Sequence, residues 1–213
     1  HDTITEDLDL SYRAQLRGWK FVYLKDVVSP AEIPSHVSAF ATQQFRWAKG
    51  TTQTAIKLLP SIWSSQISFW TKLEASFHLL GNLSYPLMLC LIVLMPFSAS
   101  FRFENYQGTF AFTMLDLILF ISSTVGILFF YGLSQKEIGQ LGTFKRLALL
   151  PLSLALGIGL SVQQTKAVWQ GIRNQDQVFI RTPKQGDTML KEYVNVQSVK
   201  GIVELSIGLY SLI

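Results

Sequence analysis

The sequence is poor in charge and almost devoid of cysteine. Only 15% of its 213 residues are charged, whereas a water-soluble domain carries about a quarter, so an ordinary soluble globule is a poor description. The single cysteine, Cys90, excludes an internal disulfide framework. The net charge of +4, from 18 Lys and Arg against 14 Asp and Glu, is too small and too dispersed to imply nucleic acid. What is abundant excludes disorder. Hydrophobic residues reach 49% and aromatics 13%, more than a solvated chain tolerates. These features imply a membrane protein with a polar portion attached.

The placement of the charges sharpens that reading. Residues 1–76 hold 8 basic and 7 acidic groups, residues 77–133 only Arg102, Glu104 and Asp116, and residues 134–213 hold 9 basic and 5 acidic. A bilayer core needs about 20 mostly apolar residues per helix. The runs 78–97 and 113–133 meet that length. A third run, 147–162, is shorter and contains Pro151, Gly157 and Gly159. The sequence opens at His1 beside a dense acidic cluster and closes at Ile213 inside the apolar run 199–213. It is expected to be an internal piece of a longer chain, without a signal peptide.

The polar first third reads as helix, glycine, strand. Thr5 is a natural N-cap, followed by Glu6, Asp7 and Asp9 in the first turn, where the helix dipole favours negative charge. Gly18 suits the position just past a helix end. Trp19–Leu24 then alternates as a half-buried strand does, which places the unit in an α/β domain. After a proline-containing loop at Ser29–Pro34, Gln43, Arg46 and Trp47 fall at i, i+3 and i+4, on one helix face. An amide, a guanidinium and an indole together suit sugar and phosphate better than an apolar core, since Arg binds phosphate oxygens bidentately.

Thr5-Glu6-Asp7 and Gln43-x-x-Arg46-Trp47, about forty residues apart and followed by membrane runs, resemble the motifs of processive family 2 glycosyltransferases. That group includes cellulose, chitin, hyaluronan and mannan synthases, and the likeness is nearest to bacterial cellulose synthase-like glucan and mannan synthases. Phe179-Ile180-Arg181-Thr182-Pro183-Lys184 is similar to the Phe-x-x-Thr-x-Lys gating loop of cellulose synthases, with Arg181 where Val is common. The resemblance covers roughly residues 1–190. It implies that Asp7 is the general base of an inverting transfer, with Glu6 beside it. It also implies that Gln43, Arg46 and Trp47 line the acceptor end, and that Phe179, Thr182 and Lys184 close over the nucleotide. A divalent metal, Mg or Mn, is expected from the family with its ligands upstream of this piece, so no metal ligand is assigned here. The isolated piece is expected to be inactive.

The expected organisation is an α/β remnant ending a GT-A-type nucleotide-sugar-binding domain at residues 1–58, then an amphipathic interface helix at 59–77. An α-helical transmembrane region follows at 78–213. Within it come helices near 78–97 and 113–133, an interfacial or re-entrant segment at 144–170, the gating-like loop at 174–190 and a truncated helix at 199–213. The loops 134–146 and 163–198 are both basic, and the positive-inside rule places both in the cytosol. This requires two full crossings before the gating-like loop. The implied partners are a nucleotide-sugar donor, a polysaccharide or oligosaccharide acceptor and the lipid bilayer of a bacterial inner or plasma membrane, with the catalytic part cytosolic. Two alternatives are a non-processive transferase with a lipid acceptor and a non-catalytic membrane transport or anchor subunit. The second would need intramembrane ionisable groups, for which Asp116 is the candidate.

Overall fold

The structure, a computed structural model, describes residues 3–24, 26–34, 36–105, 110–138, 143–173 and 206. The chain divides into two units: residues 1–90 with 160–206, and residues 91–159 with 207–213.

The first unit is organised around one long helix. α1 spans Glu6–Leu16, α2 spans Val37–Ser64 and α3 spans Phe69–Leu80. A 3-10 turn follows at Gly81–Leu83, and α4, Ser84–Asn105, starts in this unit. α7, Ser161–Ile172, returns to the same unit and packs on α2. α1 lies parallel to α2, because Thr5 meets Thr54 while Asp9 meets Lys57 further along. α3 runs antiparallel, with Lys72 Nζ donating to the Trp63 carbonyl and the Trp63 indole N–H donating to Ser76 Oγ. Ala55, Leu58 and Ile62 of α2 form a core with Ala75 and Leu79 of α3, and Leu8, Tyr12 and Leu16 of α1 pack against it. Burying a side chain such as Ile62 or Leu79 contributes about 2 kcal/mol each.

α1 starts and ends as its sequence suggests, with one exception. Glu6, Asp7 and Asp9 occupy its first turn. At the other end Gly18 adopts φ +88°, its N–H bonding the Gln15 carbonyl while Trp19 N–H bonds that of Ala14, the paired bonds of a left-handed helix stop. The exception is Thr5, which sits at the N-cap without a side-chain capping bond. Its hydroxyl is instead 3.3 Å from that of Thr54.

The expected strand at Trp19–Leu24 is not formed. These residues are irregular and exposed, and no strand occurs among the described residues. The α/β expectation is therefore met here only in its helical part. Alternation makes a strand only where a neighbouring strand supplies backbone partners. The parallel arrangement adds a second reason: from the end of α1 the chain must travel back along the roughly 16 Å of that helix before α2 can begin.

The residues 59–77, expected as one helix, are shared by two. α2 runs on through Pro60 to Ser64, where Ser65 Oγ donates to the Ile62 carbonyl at 2.6 Å. Ser68 then caps α3, accepting from Thr71 N–H at 3.2 Å. Serine hydroxyls at adjoining helix ends stabilise the break. α3 buries Ala75 and Leu79 and leaves Phe69, Trp70 and Phe77 exposed.

In the second unit α5 spans Phe110–Ile138 and α6 Thr143–Gly159. Among the described residues two stretches are long and apolar enough to cross a membrane, Phe69–Ser98 and Phe112–Ser134, overlapping the expected 78–97 and 113–133. α6 has 17 residues with Pro151 inside, short of the bilayer requirement. The segment expected at 144–170 is thus two helices that meet at Leu160, whose carbonyl accepts from Gln164 N–H at 2.9 Å to start α7. The expected helix at 199–213 lies outside the described residues apart from Ser206.

Candidate functional site

Two of the three sequence motifs meet where α1 crosses α2. Gln43, Arg46 and Trp47 occupy the first half of α2. Gln43 and Arg46 are partly buried, and Trp47 is 49% exposed, so the indole is not a core residue. Lys49 and Gly50, just beyond, are buried.

The start of α1 is seated on that stretch. A Cβ placed on Gly50 would lie 2.5 Å from Thr5 Cγ2, 2.7 Å from its Oγ1 and 2.9 Å from its backbone nitrogen. Only a glycine lets the two backbones approach this closely. Ile4 N–H donates to Gln53 Oε1 at 3.2 Å, next to the Thr5–Thr54 contact. Gly50 escaped the motif reading. A glycine inside a helix costs about 1 kcal/mol relative to alanine, and a close packing contact is the usual reason to keep one.

The carboxylates of the first turn take different roles. Glu6 and Asp7 are exposed. Asp7 Oδ1 accepts from the Leu8 N–H at 2.8 Å, as an acidic group at a helix start can. Glu6 acts electrostatically on Arg46: burial pulls the Arg46 guanidinium pKa down, and the Glu6 carboxylate opposes the shift. Asp9 turns inward and is 1% exposed. Its carboxylate contacts Arg13 Nη2 at 2.9 Å and Lys57 Nζ at 3.2 Å, which ties α1 to α2. Glu6 thus acts on the charge of Arg46, and Asp7 is open to solvent.

A metal does not fit these residues. Among the described residues no group of three or more His, Cys, Asp and Glu could hold an ion, and Asp9 is engaged by two cations. Phe179, Thr182 and Lys184 of the gating-like motif lie outside the described residues.

The far side of α2 is held by α7. Ala167, Val168 and Gly171 are buried, and a Cβ on Gly171 would meet Thr52 Cβ at 2.8 Å and the Lys49 carbonyl at 2.9 Å. Gln163 Nε2 donates to the Ala41 carbonyl at 3.4 Å. The motif-bearing half of α2 is therefore clamped between α1 and α7.

Comparison with known proteins agrees with the motif reading. The chain is 27% identical to Glucomannan 4-beta-mannosyltransferase 7 of Arabidopsis thaliana, over 99% of this chain and 37% of that protein. It is 42% identical over 77 residues to Glucomannan 4-beta-mannosyltransferase 1 of Oryza sativa subsp. japonica, over 36% of this chain and 15% of that protein. The chain thus spans well under half the length of these relatives. No solved structure matches it. The profile described as Glycosyl transferase family group 2 matches residues 1–161, and with that much of the sequence accounted for, both helix-borne motifs included, the chain belongs to this family.

Proposed function

We propose that the full-length protein is a membrane-embedded, inverting glycosyltransferase that moves a sugar from a nucleotide-sugar onto a growing β-linked polysaccharide. The names of its relatives make mannosyl transfer into a mannan or glucomannan chain the first reaction to assay. The observation that carries the reading is the seating of Thr5, which Glu6 and Asp7 directly follow, on the helix that presents Gln43, Arg46 and Trp47. Acid–base residues and sugar-binding residues then serve one substrate.

In this mechanism Asp7 accepts the proton of the acceptor hydroxyl. The oxygen forms its bond to the anomeric carbon from the face opposite the leaving group, and the nucleoside diphosphate departs with the electron pair of the broken bond. An open carboxylate at a helix start is accessible to an incoming hydroxyl, as a general base must be. Arg46 faces negative charge beside Glu6, and Trp47 offers an apolar plate to the terminal sugar. Phe179, Thr182 and Lys184 are assigned to the nucleotide on their motif alone.

Two crossings fit this reading. α2 and α7 touch within one unit, so the chain between them leaves and re-enters on the same side. That favours an even number of full crossings, which the two long apolar stretches supply. The basic residues Lys136, Lys145, Arg146, Lys166 and Arg173 support a cytosolic side for both loops. Trp63, Phe69 and Trp70, exposed and in edge contact, suit the headgroup level, where tryptophan is enriched.

The test is incorporation of label from GDP-mannose and from UDP-glucose by membranes containing the full-length protein. Wild type is expected to make alkali-insoluble polymer from one or both. Asp7→Asn is expected to make none while still binding the nucleotide-sugar. Near-normal turnover by Asp7→Asn would remove Asp7 from the role of base.

A further inference from the structure

Gly50 is a point on α2 where the start of α1 approaches closely. The atoms a side chain there would strike include the backbone nitrogen of Thr5 as well as its flexible tip, so relief would require the start of α1 to move. The seat is pinned on both sides, by Thr5 Oγ1 to Thr54 Oγ1 and by Ile4 N–H to Gln53 Oε1. Glu6 and Asp7 directly follow Thr5, and Arg46 lies one helical turn before Gly50.

We propose that Gly50 is a positioning residue for sugar transfer: by letting Thr5 rest on the α2 backbone, it sets the height of Glu6 and Asp7 over the face bearing Gln43, Arg46 and Trp47. The assignment rests on the function proposed above and extends it to a residue outside both motifs. A side chain at position 50 lifts the start of α1, and a misplacement of about 1 Å can lower turnover on the order of a hundredfold. It also moves the first-turn carboxylates relative to the α2 face that carries Gln43, Arg46 and Trp47.

Gly171 provides the matched control. A Cβ there is equally crowded, against Thr52 and the Lys49 carbonyl, but the strain falls on the α7 contact and leaves the α1 seat untouched. The experiment compares Gly50→Ala, Gly171→Ala, Thr5→Ser/Gly50→Ala and Asp7→Asn in the full-length protein in membrane vesicles, with labelled GDP-mannose as donor. Turnover is expressed per folded enzyme. Gly50→Ala is expected to lose tenfold or more in kcat and keep the donor KM within twofold. Thr5→Ser removes the methyl of the 2.5 Å contact and is expected to recover part of the loss. Gly171→Ala is expected to lower the yield of folded protein while kcat per folded enzyme stays within twofold.

Wild-type turnover by Gly50→Ala would overturn the assignment. So would a kcat per folded enzyme that matches that of Gly171→Ala, with no recovery by Thr5→Ser. If Gly50→Ala does not accumulate and the Thr5→Ser/Gly50→Ala pair fails equally, the Thr5 contact is not what matters and the assignment falls as well. Normal turnover by Asp7→Asn would instead overturn the base itself, an outcome distinct from any result at Gly50.

Discussion

α2 and α5 are nearly the same length, 28 and 29 residues, yet they use their surfaces in opposite ways. α2 buries small and polar groups, among them Thr52, Gln53, Thr54 and the whole of Lys49, and is held by directional contacts to α1, α3 and α7. Between Phe112 and Ser134, by contrast, α5 has none of its apolar window buried, and its serines bond back to its own backbone. Ser122, Ser123 and Ser134 donate to the carbonyls of Leu119, Phe120 and Phe130. A helix whose serines bond its own backbone and which turns Leu, Ile and Phe outward is suited to lipid. One helix is held by neighbours in its own chain, while the other presents an apolar surface.

The largest expected effect tests that contrast. Leu119 on α5 and Leu10 on α1 are similarly exposed, 58% and 60%. Leu119→Arg is expected to cost about 3 kcal/mol of membrane insertion, as an arginine near the centre of a spanning helix does. Leu10→Arg is expected to stay within about 0.5 kcal/mol, as surface substitutions do. Alkaline extraction of membranes and thermal melting of solubilised protein read the two. Equal damage at Leu10 would mean that the outer face of α1 is covered in the full-length protein, and the contrast would fail.

Next comes Asp9→Ala. Removing one member of a buried ion pair commonly costs 3–5 kcal/mol. Here Arg13 and Lys57 are partly exposed and can turn to water, so about 2–3 kcal/mol is expected. Chemical denaturation of the solubilised protein should report it, with the loss confined to the α1 contact by hydrogen exchange. An unchanged midpoint would show that α1 is held by Thr5 and the apolar core alone.

Trp47→Ala should separate function from stability within α2. At 49% exposure the indole contributes little to packing, so the melting temperature is expected to hold. Losing an aromatic platform costs about 1–3 kcal/mol of stacking, so polymer elongation should fall about tenfold or more at limiting acceptor. A lowered melting temperature with acceptor dependence intact would return Trp47 to a packing role.

The contrast also explains what could be read from the residues. The two apolar runs were legible because length and apolar composition define them, and a sequence displays both directly. Gly18 and the acidic first turn of α1 were legible because they answer to their own helix ends. Contacts between helices were not. Thr5 has the composition of a cap but is drawn to Thr54, and Asp9 reads as a first-turn carboxylate like Asp7 yet turns inward to Lys57. Trp19–Leu24 alternates like a strand, but strand pairing depends on a partner that no local pattern contains. Gln43, Arg46 and Trp47 do lie on one helix as expected, and Asp7 is accessible, though their roles in transfer remain proposals.

The smallest effect expected is at Tyr12, which joins α1 to α3 through a 2.7 Å contact between its hydroxyl and His78 Nδ1. Burial, and then the charge of Glu74, raise the Tyr12 pKa above its ordinary value. Folding therefore favours the protonated phenol. The stabilisation is complete below the unfolded pKa of about 10 and is lost as pH rises through the higher folded value. Tyr12→Phe is expected to cost about 1 kcal/mol or less near pH 8, the worth of one partly exposed hydrogen bond, or about 2–4 °C in Tm. Melting curves from pH 8 to 11.5 should show the wild type falling toward the variant as the phenol ionises in the unfolded state. A gap that stays constant across that range would mean that the protonation state of the Tyr12 hydroxyl does not govern the contact between α1 and α3.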